Sequence, residues 1–165
     1  MKLKSQAMTG TFVNMGVILP LLAFAVPFVV SSPQIITGSL VNSLLFWSAR
    51  RVNAKSQIVT AIAPGIGVLS NGILFGKFTP YLFYFLPIIW IGNIILMRTF
   101  TSIKGKDRIT RIVIPSLLKS AFLFGFSLVF FKIGAVPEPF LTLMGFMQLV
   151  TALLGGVLFT IYERY

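Results

Sequence analysis

The side chains best equipped for polar chemistry in this 165-residue sequence are four carboxamides, Asn42, Asn71, Asn93 and Gln148, each inside a different apolar run. A carboxamide both donates and accepts hydrogen bonds, and polar groups at membrane depth are costly unless they face protein or a cavity. Reactive alternatives are few. The sequence has no cysteine and no histidine, and its acidic residues are Asp107, Glu138 and Glu163. That composition excludes disulfides, thiolate or imidazole metal sites, and nucleophilic triads built on Cys or His. It leaves no carboxylate pair for an intramembrane proton relay, since Asp107 lies in a basic stretch and Glu163 near the C-terminus. Neither an enzyme nor a cofactor is expected, and nickel or cobalt is disfavoured as a substrate because the ligands it prefers are missing.

The elements that must carry these amides are helices in a bilayer. Hydrophobic residues make up 56% of the chain and charged residues 10%, with a mean hydropathy of +0.94. About a quarter of the residues of a soluble domain are charged. Apolar runs of helical length fall at 9–30, 35–49, 57–75, 80–97, 112–131 and 140–162. Six spans of roughly 20 residues use about 120 residues and leave only short connections. The expected fold is therefore a single all-α transmembrane domain over residues 1–165, with six spans and both termini cytoplasmic. The start, Met1-Lys2-Leu3-Lys4 before an apolar run that reaches Ala23-Phe24-Ala25, has features of a signal peptide. Its apolar stretch of about 20 residues is long for one, so it is read as span one.

Charge placement supplies the orientation. A net charge of +11 would suggest nucleic acid in a soluble protein, but here the cations fall between the apolar runs, and no nucleic-acid partner is expected. With the N-terminus inside, 11 basic residues are cytoplasmic: Lys2, Lys4, Arg50, Arg51, Lys55, Arg98, Lys104, Lys106, Arg108, Arg111 and Arg164. Only Lys77 and Lys132 are outside, as the positive-inside rule requires. Lys119, about seven residues into span five, is expected to snorkel to the inner surface. The basic 98–111 loop reads mainly as this orientation signal, with anionic lipid or a cytoplasmic protein as its other possible contacts.

Counted from the outer end of each span at 1.5 Å per residue, Asn71 lies about 6 Å deep, Asn42 about 10 Å and Gln148 about 12 Å. Asn93, about 20 Å deep on the same count, belongs to the inner half. Small and polar residues accompany these amides at helical spacing: Gly38, Ser39 and Asn42; Thr60, Pro64, Gly67 and Asn71; Gly145, Gln148, Ala152 and Gly155. Two readings fit such stripes. They are seams where helices approach closely, or walls of an outward cavity suited to a neutral or zwitterionic molecule. Lys77, Lys132 and Glu138 would stand at its rim. Trp90, near mid-membrane, would stack on a bound ring or pack against protein or lipid, whereas Tyr81 and Tyr84 read as interfacial belt residues. Pro20, Pro64 and Pro87 each interrupt a span, Pro64-Gly65-Ile66-Gly67 is expected to kink or break its helix, and irregular backbone at that depth lines cavities or is buried in protein. The Gly72–Lys77 segment has the wrong spacing for a phosphate loop, and Phe78 stands where Ser or Thr is needed.

The segments Gln34-Ile35-Ile36-Thr37-Gly38-Ser39-Leu40-Val41-Asn42, Ala63-Pro64-Gly65 through Leu69-Ser70-Asn71-Gly72, and Leu86-Pro87-Ile88-Ile89-Trp90-Ile91-Gly92-Asn93 resemble substrate-binding S components of energy-coupling factor (ECF) transporters. The resemblance covers residues 34–97. It implies a vitamin or trace-nutrient capture protein of a prokaryotic cytoplasmic membrane, energised by a membrane-embedded T component and two cytoplasmic ATPase subunits. The expected substrate-binding residues are Gln34, Thr37, Ser39, Asn42, Asn71, Trp90 and Gln148. The Ala-x-x-x-Ala pattern with which span one commonly docks the T component is missing. Gly10, Asn14 and Gly16 supply the nearest small-residue spacings and are the expected docking residues. The alternative is a structural or accessory subunit of a larger membrane complex, without a ligand of its own.

Overall fold

The computed structural model describes residues 2–30, 33–72 and 78–163, with side chains from Met15 onward and that of Thr79 excepted. The described chain is helical throughout: α1 Lys2–Val29, α2 Gln34–Arg51, α3 Ala54–Asn71, α4 Thr79–Ser102, α5 Arg108–Lys132, α6 Pro139–Met144 and α7 Phe146–Tyr162. Pro80–Ser102, Arg108–Lys132 and Pro139–Tyr162 are each long and apolar enough to cross a membrane, and Met15–Val29 is a shorter apolar helix. Their outward faces carry Leu21, Phe83, Ile91, Leu117, Phe126 and Val157, all exposed, as a lipid-facing surface requires. The chain is an all-helical, membrane-embedded protein.

Local chemistry sets the helix ends. Asn53 caps α3 by accepting from Ser56 N at 3.0 Å, and Gly72 ends it in the left-handed region at φ 72°. Because of that glycine, α3 stops at Asn71, short of the expected residue 75. Asp107 caps α5, accepting from Thr110 N at 2.9 Å and Thr110 Oγ1 at 2.6 Å. Those hydrogen bonds, the side-chain one foremost, hold the Asp107 carboxyl below its ordinary pKa. At the far end of α5, Ala135 N donates to Phe130 O and Gly134 N to Phe131 O around Gly134 at φ 73°, a Schellman closure.

Two expectations about helix continuity are corrected. α1, α3 and α4 run unbroken through Pro20, Pro64 and Pro87. In α3 the turn weakened by Pro64 is braced from outside, because Asn93 Nδ2 donates to Ala61 O at 2.9 Å. The sixth apolar run, read as one helix, is instead divided at Gly145 into α6 and α7. A Cβ at Gly145 would lie 2.7 Å from Phe124 Cδ2 and 2.8 Å from Leu141 O, and the Gly145 carbonyl accepts from Ser120 Oγ at 2.7 Å. The break is thus held against α5.

α2 is the hub, touching α1, α3, α4 and α7, while α4 packs on α5 and α1 on α3. Apolar side chains form two clusters. One, at the end bearing the basic connections, gathers Phe46, Phe100 and Phe159 with ring centroids 5.1–5.8 Å apart. The Arg111 guanidinium stacks 4.7 Å over Phe100 there, and Arg50 pairs with Glu163. The other cluster, at the opposite end, is built on Phe85, Phe140, Leu82, Leu123 and Met144.

Candidate binding cavity

Between the two clusters lies a cavity of about 70 Å³, with walls from α1, α2, α3, α4, α5 and α7. Its α2 wall is Gln34, Thr37, Gly38, Val41 and Asn42, one helical face at i, i+3, i+4, i+7 and i+8. Facing it are Pro64, Gly65 and Val68 of α3, and Leu82, Ile89 and Asn93 of α4. Pro27 closes one side, Gln148 of α7 another, and Lys119 of α5 completes the lining.

Asn42 and Lys119 are each 2% exposed and are joined by a hydrogen bond from Lys119 Nζ to Asn42 Oδ1 at 2.7 Å. The orientation of the amide follows from chemistry. An ammonium has only donors, so Oδ1 must face it, and Asn42 Nδ2 then donates to Gly38 O at 2.8 Å and Thr151 Oγ1 at 3.3 Å. Asn42 therefore ties α2, α5 and α7 together at one point. Gln34 and Gln148 differ, because neither side-chain amide has a hydrogen-bond partner among the described residues and both line the cavity. Thr37 is engaged structurally, donating to Val30 O at 2.8 Å.

The expected substrate-binding residues divide accordingly. Gln34, Thr37, Asn42 and Gln148 converge on the cavity, whereas Ser39, Asn71 and Trp90 are not part of its wall. Ser39 donates to Ile35 O at 2.6 Å within α2, and its own carbonyl abuts Gly155. Asn71 Nδ2 donates to Phe28 O at 2.6 Å, linking the end of α3 to α1. Trp90 packs on Gly65, where an added Cβ would lie 2.9 Å from its Nε1, and that indole N–H is buried without a partner among the described residues. Asn93, assigned to the inner half by depth and not among the expected site residues, also lines the cavity.

Lys119 is the residue that sequence reasoning placed wrongly. α5 begins at Arg108, four residues before the expected start, so Lys119 lies roughly 16 Å along the helix from that end and cannot snorkel to it. The buried face Ser116, Lys119, Ser120, Leu123 and Ser127 is a polar stripe at helical spacing. It was the available signal that the lysine points inward.

The glycine stripes are intramolecular seams. A Cβ on Gly38 would sit 2.8 Å from Thr151 Cγ2, and one on Gly155 would sit 2.7 Å from Ser39 O and 2.6 Å from Asn42 Cβ. Gly67 abuts Phe24 O in the same way across α1 and α3. Glycines of the stripes thus close seams, while Gly38, Asn42 and Gln148 from the same stripes line the cavity. Of the expected docking residues, Gly16 faces Ser56 Oγ of α3, where a Cβ would lie 2.9 Å away. Gly10 and Asn14 lie in α1 outside the residues whose side chains are described. Of the expected rim, Lys77 lies outside the described residues, and Lys132 and Glu138 are exposed at the cavity's end of the bundle. Among the described residues no His/Cys/Asp/Glu group could hold a metal ion. The chain matches no protein-family model, no curated protein and no solved structure.

Proposed function

We propose that this chain is a six-span protein of a prokaryotic cytoplasmic membrane that captures a small neutral or zwitterionic solute from the outer face, in the manner of an ECF S component. The observation that carries this reading is the cavity, lined by the amides of Gln34 and Gln148, which have no partner among the described residues and lie in the half of the bundle away from the basic connections. By the positive-inside rule that half faces outward. α2 and α3, at 18 residues each, reach about 27 Å, close to the ~30 Å hydrocarbon thickness, and α2 is the less apolar of the two because it buries Thr37, Ser39, Asn42, Ser43 and Ser48.

Capture is the role such a site suits. Among the described residues the walls bring hydrogen-bonding amides, one lysine and hydrophobic side chains to one point but no nucleophile–base pair, an arrangement that suits holding and orienting a molecule. The sequence also contains no nucleotide-binding motif. Energy for uptake would come from partners, a T component and two cytoplasmic ATPase subunits.

The test is a mild-detergent pull-down of the tagged protein at native expression level, with co-purifying polypeptides identified by mass spectrometry. Recovery of a T component with two ATPases is the expected result. Recovery of an unrelated membrane assembly would overturn it in favour of an accessory subunit.

A further inference from the structure

We infer that Lys119 is the anion anchor of this cavity, and that the captured solute is a small monocarboxylate with an otherwise neutral, hydrogen-bonding body. This rests on the capture reading above but replaces its neutral or zwitterionic solute with a monoanion, because Lys119 lines the cavity.

A buried ammonium is stabilised by pairing with a counter-charge and by using its three donors. Among the described residues Lys119 Nζ has one hydrogen bond, to the neutral Asn42 amide, and no carboxylate lines the cavity. The three acids of the chain are placed elsewhere. Asp107 caps α5 in an exposed connection, Glu138 is exposed at the start of α6, and Glu163 pairs with Arg50. The protein thus presents a buried amino group at a cavity wall with no carboxylate beside it among the described residues, so a bound anion would supply its counter-charge.

The same wall limits what that anion can be. Among the described residues Lys119 is the only basic one lining the cavity, which suits a single negative charge and disfavours a phosphate monoester at about −1.5 to −2. A solute ammonium group would find only amide oxygens there, so the body of the molecule is neutral. Gln34, Gln148 and Asn93 offer it donors and acceptors, and Val41, Val68, Leu82 and Ile89 offer apolar contact. At about 30 Å³ per water, a volume of about 70 Å³ holds roughly two waters, so the acid must be very small or must enter as the walls move apart. Asn42 acts as a positioning residue, holding Nζ at the wall through its bonds to Gly38 and Thr151.

The experiment is equilibrium dialysis of the purified full-length protein against a deproteinised bacterial metabolite extract, with enriched compounds identified by mass spectrometry. It is repeated with Lys119→Met, which keeps the length of the side chain and removes the charge. The expected result is enrichment of a monocarboxylate by the wild type and a fall of at least about tenfold in the variant, the loss expected for a charge-assisted hydrogen bond. A second measurement needs no variant: the carboxamide analogue of the enriched acid should bind the wild type at least about tenfold more weakly than the acid. Enrichment of a compound without an acidic group, or of an anionic lipid, would overturn the inference and leave capture standing. So would equal binding of acid and amide. Absence of any enrichment by the wild type would overturn the capture reading itself.

Discussion

Asn42 shows how much can depend on one amide. Its Oδ1 accepts from a buried ammonium and its Nδ2 braces α2 against α7, so truncation removes a structural tie and leaves Lys119 without its partner. Asn42→Ala is expected to destabilise the protein by about 3 kcal/mol, because an orphaned buried charged group costs more than a neutral hydrogen bond contributes. The double variant Asn42→Ala with Lys119→Met should recover part of that loss, since no charge is then left unpaired. Unfolding of the four proteins in an SDS titration, followed by circular dichroism, would measure the coupling. Additive effects would show that the 2.7 Å contact contributes nothing of its own.

The elements approach as closely as they do because particular glycines face backbone. At Gly155 an added methyl would lie 2.7 Å from Ser39 O and 2.8 Å from Ser43 N, neither of which can move without shifting α2. Gly125 of α5 is exposed with nothing within 4 Å of the same position. Gly155→Ala should therefore lower stability by about 1–3 kcal/mol through overpacking, and Gly125→Ala should raise it by up to about 1 kcal/mol through helix propensity. Thermal melting in detergent checks the opposite signs, and equal effects would refute the seam between α2 and α7. The glycine and amide stripes were legible in the sequence because helical spacing places such residues on one face. Which stripe meets which was not, since that depends on α2 lying at the centre of the bundle. Helix ends were the weaker part. Asp107 starts α5 by capping rather than by hydropathy, and the polar residues Arg108, Thr110 and Arg111 that follow hid the helix and so misplaced Lys119. The break at Gly145 left no mark in hydropathy, because it arises from Phe124 and Ser120 on another helix.

For the molecule as a whole, the direction in which the cavity faces decides between capture from outside and every other use of the site. The connections on the α2–α3 and α4–α5 side carry the basic residues, including Lys55, Lys104 and Lys106, whereas the opposite described connections carry Lys132 and Glu138. An 11 to 2 division of cations strongly favours the basic side inside, because moving short, positively charged loops across the bilayer is disfavoured during insertion. The cavity residue Gln34 opens α2 on the other side, and Gln148 lies nine residues in from Pro139 on that side, so the same bias that orients the chain places the site in the outer half. Since the sequence has no cysteine, single Cys substitutions at exposed positions report topology without background. Lys132→Cys and Glu138→Cys should react with a membrane-impermeant maleimide on intact cells. Lys55→Cys and Lys104→Cys should react only after permeabilisation. The reverse pattern would place the cavity on the cytoplasmic side, where it could not receive a solute from outside, and uptake would have to be abandoned even if a ligand were found.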